Sequence, residues 1–201
     1  MIKVLLADDQ AMVRGALAAL LALEPDLEVV AEVGRGDEVL DAVRTSGAEV
    51  CLLDVEMPGM TGLEVAEQLA REAPGVRSLV VTTFGRPGYV RRALDAGASG
   101  FVVKDTPARE LAEAVRRVQA GMRVVDPELA AQSLMDGPSP LSPRETEVLR
   151  LALGGSSVAS IARTVHLTQG TIRNHLSAAI GKTRASSRAE AARIALERGW
   201  L

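Results

Sequence analysis

Three aspartates stand where short apolar runs of this sequence end. Asp8 and Asp9 follow "KVLLA", and Asp54 closes "EVCLLD". Continuous aliphatic runs of this length are typical of strands buried on both faces of a parallel sheet. The carboxyl ends of parallel strands meet in the crevice where such sheets bind ligands. The three carboxylates therefore predict a site for Mg²⁺, which prefers oxygen ligands from a few carboxylates, water and phosphate.

Two further predicted strands end in polar side chains, Thr82 and Lys104. A hydroxyl and an ammonium beside Asp54 would stabilise a phosphoryl group during in-line transfer. An aspartate in that position can act as a nucleophile and carry an aspartyl phosphate. Each residue type also has an ordinary interpretation: Thr favours strands, Lys ends strands in solvent, and aspartates cap helices and start turns.

The elements that must position these residues alternate regularly along the first part of the chain. Strand patterns cover 3–7, 27–33, 49–54, 78–83 and 100–104, and helical patterns cover 11–23, 37–46, 61–72, 87–97 and 107–120. Five βα units predict an α/β fold with a doubly wound, five-stranded parallel sheet. Cys51 lies inside an apolar run, so we expect a packed thiol.

The last part of the chain has a different pattern and predicts only helices. A short linker helix is expected from Asp126, and "DGPSP" at 136–140 marks a boundary. Capping boxes at Ser142–Glu145 and Ser187–Glu190, and a cap at Thr168, predict a small four-helix domain. The expected domains are therefore 1–121, a linker at 122–140, and 141–201.

Charge is divided unequally between the two parts. Residues 1–138 hold 14 basic and 22 acidic residues, whereas residues 139–201 hold 9 basic and 4 acidic residues. The basic part is the candidate for nucleic-acid binding. The single cysteine, the short apolar runs and the absence of a signal-peptide pattern predict a cytoplasmic protein without direct membrane binding.

The first part of the chain resembles a known family through four motifs in order: "LLADDQ", "LLDVEMPGMTG", "VVTTF" and "GASGFVVKD". They are similar to the receiver domain of bacterial two-component response regulators. The resemblance implies that Asp54 is the phosphoacceptor. It also implies that Asp9, Asp54 and the backbone carbonyl of Glu56 bind Mg²⁺ directly and that Asp8 binds it through water. Thr82 and Phe101 would be switch residues, and Lys104 would pair with the phosphate. An aromatic residue in a strand is otherwise usually part of the core.

The helical part is compatible with a helix-turn-helix in which "TIRNHLSAAIGK" enters the major groove of double-stranded DNA. Arg173 suits guanine, Asn174 suits adenine, and Lys182 and Arg184 suit phosphates. A solvated helix face is the alternative. The segment from Leu141 to about Leu196 resembles the LuxR-type domain of NarL/FixJ response regulators. That resemblance makes Arg173, Asn174 and Ser177 base-reading positions, although Ser177 replaces the usual basic residue. The loop and helix "TTFGRPGYVRRAL" is similar to that of DesR-like regulators.

Three other functions fit the sequence less well. An aspartyl-phosphate phosphatase would carry its nucleophile after the first strand, and a dinucleotide enzyme fails because Val39 replaces the third glycine of "VGRGDEV". A receiver that works without phosphate is not favoured, because all the chemical groups are present. We therefore expect a transcription factor, not an enzyme. A sensor histidine kinase would phosphorylate it, and it would dimerise through the first and last receiver helices and bind promoter DNA.

Overall fold

The computed structural model of the protein describes residues 1–83, 87–127, 129–131 and 139–201. The described chain forms two compact units, one built around a β-sheet and one made of the four C-terminal helices. The expected two-part organisation is therefore present. The proposed boundaries at 121 and 141 remain predictions.

The sheet unit alternates strands and helices in chain order. Its elements are β1 (Ile2–Ala7), α1 (Ala11–Leu21), β2 (Leu27–Val33), a 3₁₀ turn (Gly36–Glu38), α2 (Val39–Ser46), β3 (Val50–Asp54), α3 (Gly62–Glu72), β4 (Arg77–Thr82), α4 (Pro87–Asp95), β5 (Gly100–Val103), α5 (Ala108–Gln119) and β6 (Val124–Val125). All pairings are parallel, in the order β2-β1-β3-β4-β5-β6. This confirms the predicted doubly wound α/β fold.

The sheet carries one strand more than the sequence predicted. Residues Val124 and Val125 add a two-residue strand beside β5, with Gly100 opposite Val124 and Phe101 opposite Val125. A pair of valines is too short to show the period of a strand, so the sequence pattern could not reveal it.

The inner strands are apolar because helices cover both faces of the sheet. Every residue of β3 is buried, as the continuous run predicted. On one face, α1 and α5 pack against the strands through a shared core that includes Leu21 of α1 and Leu111, Val115 and Val118 of α5. The thiol of Cys51 is fully buried, and burial raises its pKa to about 12.

The C-terminal unit contains α6 (Pro143–Leu153), α7 (Val158–Thr164), α8 (Gln169–Thr183) and α9 (Arg188–Glu197). The predicted capping box of Ser142 and Glu145 is present, and Thr168 caps α8. Ser187 caps α9, although the Glu190 carboxylate accepts from the backbone of Ser186 instead of completing the box with Ser187.

Two predictions concern the segment between the units. The amide of Leu129 donates to Oδ1 of Asp126 (3.1 Å), as expected for the start of a linker helix. Residues 127 and 129–131 are helical, and the amide of Ala130 donates to the carbonyl of Asp126 (2.9 Å). The remainder of that predicted helix and most of the boundary at 136–140 lie outside the described residues.

Candidate functional site

The carboxylates predicted from the strand ends lie together in the structure. One oxygen each from Asp8, Asp9 and Asp54 can be chosen so that all three lie within 4.8 Å of one another. Parallel pairing explains this arrangement, because β1 and β3 are neighbours in register. Asp8 and Asp54 are almost fully buried, whereas Asp9 is exposed. The cluster is therefore open to a cation on the Asp9 side.

Lys104 supplies the positive charge inside this cluster. Its Nζ lies 2.7 Å from Oδ2 of Asp8 and 3.2 Å from Oδ1 of Asp54. Burial alone would lower the pKa of the Lys104 ammonium, but the two carboxylates outweigh burial and raise it. Three carboxylates and one ammonium leave an excess of negative charge, which favours a divalent cation.

Asp54 has an unusual protonation equilibrium for a carboxylate near a lysine. Burial raises its pKa to about 6, and the negative charge of Asp8 adds to that effect. Lys104 opposes both by favouring the ionised form. The carboxylate is therefore less stable than an exposed one until positive charge is added beside it.

The loop after Asp54 returns close to the strand that carries it. The amide of Gly62, the first residue of α3, donates to the carbonyl of Val55 (3.0 Å). A Cβ at position 62 would overlap the carbonyl oxygen of Asp54, so only glycine fits there. The carboxylate of Glu64 and the hydroxyl of Thr61 form a capping box that starts α3. The side chain of Glu56 is exposed.

The two predicted switch residues lie on β4 and β5. Thr82 is buried at the end of β4, one residue beyond Val81, which pairs with Asp54. Phe101 is fully buried in β5. Strand pairing therefore brings Thr82 to the same sheet edge as Asp54, while Phe101 lies within the core.

The C-terminal unit presents a polar helix face. Ile172, Leu176, Ala179 and Thr183 are the buried positions of α8, and Arg173, Asn174 and Ser177 are exposed. The turn between α7 and α8 contains His166 in the left-handed region (φ 55°), and Ser157 and Thr168 cap the two helices. This is the geometry of a helix-turn-helix with the predicted base-reading residues facing outwards.

Lys182 forms an ion pair inside this unit. Its Nζ lies 2.7 Å and 3.0 Å from the two carboxylate oxygens of Glu145, which is 6% exposed. Burial alone would raise the pKa of Glu145, but the hydrogen bonds from Lys182 and from the Ser142 amide lower it. The predicted phosphate-binding ammonium is therefore bonded within the protein, whereas Arg184 is exposed.

Comparison with known proteins agrees with both parts of the chain. Residues 4–116 match the response regulator receiver domain, and residues 139–195 match the bacterial regulatory proteins of the luxR family. The chain is a luxR-type response regulator. It thus combines a receiver domain with a LuxR-type DNA-binding domain, and it is a transcriptional regulator, not an enzyme.

This response regulator is similar along its full length to proteins of Bacillus subtilis (strain 168). The uncharacterized transcriptional regulatory protein YvfU is 43% identical and the transcriptional regulatory protein DesR 42% identical, each over 100% of both chains. The solved complex of the two-component response regulator RcsB with DNA is 25% identical, with a TM-score of 0.66 over 98% of both chains. The predicted likeness to DesR-like regulators is confirmed.

Sequence reasoning missed two contacts of this response regulator. It did not find the ion pair of Lys182 with Glu145, because 37 residues separate them in the chain. It also did not assign a role to Arg14, whose Nη1 donates to the carbonyl of Asp8 (2.5 Å). Arg14 was detectable only as the single charged residue of an apolar helix.

Proposed function

We propose that Asp54 accepts a phosphoryl group from a sensor histidine kinase and that this controls transcription. The observation that carries the proposal is the buried Asp54 carboxylate, 3.2 Å from the Lys104 ammonium and beside two further carboxylates. In the transfer an Asp54 oxygen attacks phosphorus and the bond to the donor nitrogen breaks. Lys104 then pairs with the phosphoryl oxygens in place of Asp54.

The proposed cofactor is Mg²⁺, held by Asp8, Asp9, Asp54 and the backbone carbonyl of Glu56. Mg²⁺ prefers oxygen ligands and usually keeps several water molecules. The three carboxylate oxygens, within 4.8 Å of one another, are close enough to share one ion, with Asp9 and Asp54 binding it directly and Asp8 through water. When bound, the ion neutralises charge on the phosphoryl oxygens.

Thr82 and Phe101 are proposed to carry the signal away from Asp54. A hydroxyl at the end of β4 is placed to donate to a phosphoryl oxygen on the neighbouring strand. Thr82 lies two residues beyond Val80, the residue of β4 that pairs with Phe101 of β5. Movement of Thr82 towards the phosphoryl group would therefore change the space beside Phe101. Both roles follow from the receiver family.

The C-terminal unit is proposed to bind double-stranded promoter DNA through α8. Arg173, Asn174 and Ser177 are exposed on one helix and suit base edges in the major groove. Arg184, exposed at the end of α8, suits a backbone phosphate. Lys182 was predicted to do the same, but its ion pair with Glu145 argues for a role within the protein.

A homodimer through α1 and α5 is the proposed active assembly. An exposed stripe of α1 is entirely apolar; it contains Met12, Ala16, Ala19, Leu20 and the following Leu23. The spacing of these residues places them on one helix face. α5 lies on the same side of the sheet, so both helices contribute to one surface. Phosphorylation would favour pairing of this surface with a second copy.

The cytoplasm is the proposed location, because the kinase domain that donates phosphate and the promoter are both found there. Among the described residues, no helix has both the length and the apolar character needed to cross a membrane.

Intact-mass measurement tests the proposed chemistry. With Mg²⁺ and a small phosphodonor such as acetyl phosphate, the wild type should gain one base-labile phosphoryl group, and Asp54→Asn should gain none. Asp41→Asn removes an exposed carboxylate on α2 and should label like the wild type. Full labelling of Asp54→Asn would contradict the assignment.

A further inference from the structure

Arg14 is a charged side chain on a helix that is otherwise apolar. It is the only charged residue of α1, and its side chain is 21% exposed. Burying most of a guanidinium is costly unless its donors are bonded. The contacts of the Arg14 guanidinium therefore indicate which part of the structure it stabilises.

The guanidinium connects the end of β1 with the end of β2. Its Nη1 donates to the backbone carbonyl of Asp8 (2.5 Å), and its Nε lies 3.5 Å from Oε2 of Glu32. It also lies near Gly34, where an added Cβ would be 3.5 Å from Nη1. Arg14 thus bonds the loop that carries Asp8 and Asp9 and lies near the loop that follows β2.

The carbonyl of Asp8 belongs to the same rigid peptide plane as the amide of Asp9. The carboxylate of Asp8 is already held on both oxygens, by the amide of Gln10 (2.9 Å) and by Lys104 (2.7 Å). Asp9, in contrast, has an exposed side chain. The preceding peptide sets the position of its Cα and Cβ, and hence the region that its carboxylate can reach. The bond from Arg14 fixes that peptide.

We infer that Arg14 is a positioning residue for the cation site, holding the Asp8–Asp9 peptide so that the Asp9 carboxylate converges with that of Asp54. The inference rests on the proposed binding of Mg²⁺. Arg14 touches neither the cation nor the phosphoryl group. It acts on affinity through the backbone that carries a ligand, as hydrogen-bond partners of metal ligands do.

Calorimetric titration of the full-length protein with Mg²⁺ tests this role. Arg14→Met keeps an unbranched apolar stem and removes the guanidinium donors, and it should weaken Mg²⁺ binding by about 10-fold or more. Arg14→Lys keeps the charge but lacks the planar fork, so its Mg²⁺ affinity should lie between that of the wild type and that of Arg14→Met. Arg44→Met removes an exposed arginine paired with Asp41 and Glu72, away from the site, and should bind like the wild type.

The rate of labelling by acetyl phosphate gives a second readout. In Arg14→Met the Mg²⁺ concentration for half-maximal rate should rise by the same factor, while the rate at saturating Mg²⁺ stays near that of the wild type. General damage to the fold would lower the saturating rate as well. Circular dichroism shows whether each variant folds; if Arg14→Met does not, Arg14→Lys carries the test.

The outcomes separate this inference from the function on which it rests. If the wild type does not bind Mg²⁺, the proposed metal site and the role of Arg14 are both overturned. If the wild type binds Mg²⁺ and the folded Arg14 variants bind it equally well, only the role of Arg14 is overturned. A lower saturating rate with unchanged Mg²⁺ affinity would also overturn it.

Discussion

Asp54 lies where burial and a neighbouring cation have opposite effects on one carboxyl group. Burial and Asp8 favour the neutral form, Lys104 favours the ionised form, and the result is a pKa of about 6. At neutral pH the group is ionised at a cost to stability, and a cation bound beside it would offset that cost. A raised pKa would make Asp54 a stronger nucleophile in the proposed phosphoryl transfer.

This arrangement predicts how stability depends on pH. The folded pKa of Asp54 exceeds its ordinary value of 3.8, so the folded state binds more protons between those pH values. The contribution of protonated Asp54 to the free energy of unfolding is fully present below pH 4 and is lost as the pH rises through 6. Asp54→Asn should therefore be more stable than the wild type at pH 7 by about 2–3 kcal/mol, and equally stable near pH 4. Urea denaturation in EDTA measures this; equal stability at pH 7 would contradict it.

Lys182 and Arg184, the two basic residues at the end of α8, should respond differently when each is replaced by glutamine. Arg184→Gln should lower the salt slope of DNA binding by about one and leave stability unchanged. Lys182→Gln should leave the slope unchanged and destabilise the C-terminal unit by about 1–2 kcal/mol, since it leaves buried Glu145 without its partner while Lys182 itself is 40% exposed. Salt titrations with cognate and scrambled DNA decide. A slope reduced by one in Lys182→Gln would restore the predicted phosphate contact.

At the scale of helices and strands, local signals were sufficient for most of the fold. The apolar runs predicted five strands, and the caps Ser142 and Thr168 start α6 and α8 as expected. The convergence of Asp8 and Asp54 followed from parallel pairing alone. Contacts that depend on three-dimensional packing were beyond such signals. They include the two-residue strand β6, the Glu145–Lys182 pair and the bond from Arg14 to the Asp8 carbonyl.

The close approach of α3 to β3 gives a prediction about two glycines. In Gly62→Ala the added methyl group would overlap the Asp54 carbonyl oxygen, so we expect a loss of about 1–3 kcal/mol and slower self-phosphorylation. Gly15→Ala, in the exposed middle of α1, meets nothing within 4 Å and should gain about 0.5–1 kcal/mol. Urea denaturation and labelling rates compare the two. Equal behaviour of both variants would show that α3 can shift away from Asp54.

At the scale of the whole molecule, the two units differ in charge as their partners require. The net negative charge of the sheet unit favours a cation, and the net positive charge of the helical unit favours DNA. A monomer offers one recognition helix, whereas two copies would offer two, with half-sites about one helical turn apart. Control of dimerisation by phosphate would therefore control the affinity for a paired site.

The apolar stripe of α1 is the surface on which the proposed control by dimerisation depends. Leu23 is 77% exposed and Met12 is 85% exposed, which is unfavourable in water unless another surface covers them. Leu23→Glu adds charge to the stripe and should keep the protein monomeric in the presence of Mg²⁺ and beryllofluoride, under conditions in which the wild type dimerises. Leu153→Glu changes a leucine of the C-terminal unit that is 44% exposed and should leave dimerisation intact. Sedimentation velocity at micromolar concentration distinguishes them. If Leu23→Glu dimerises as readily as the wild type, the interface lies on another face and α1 is left free to contact the kinase.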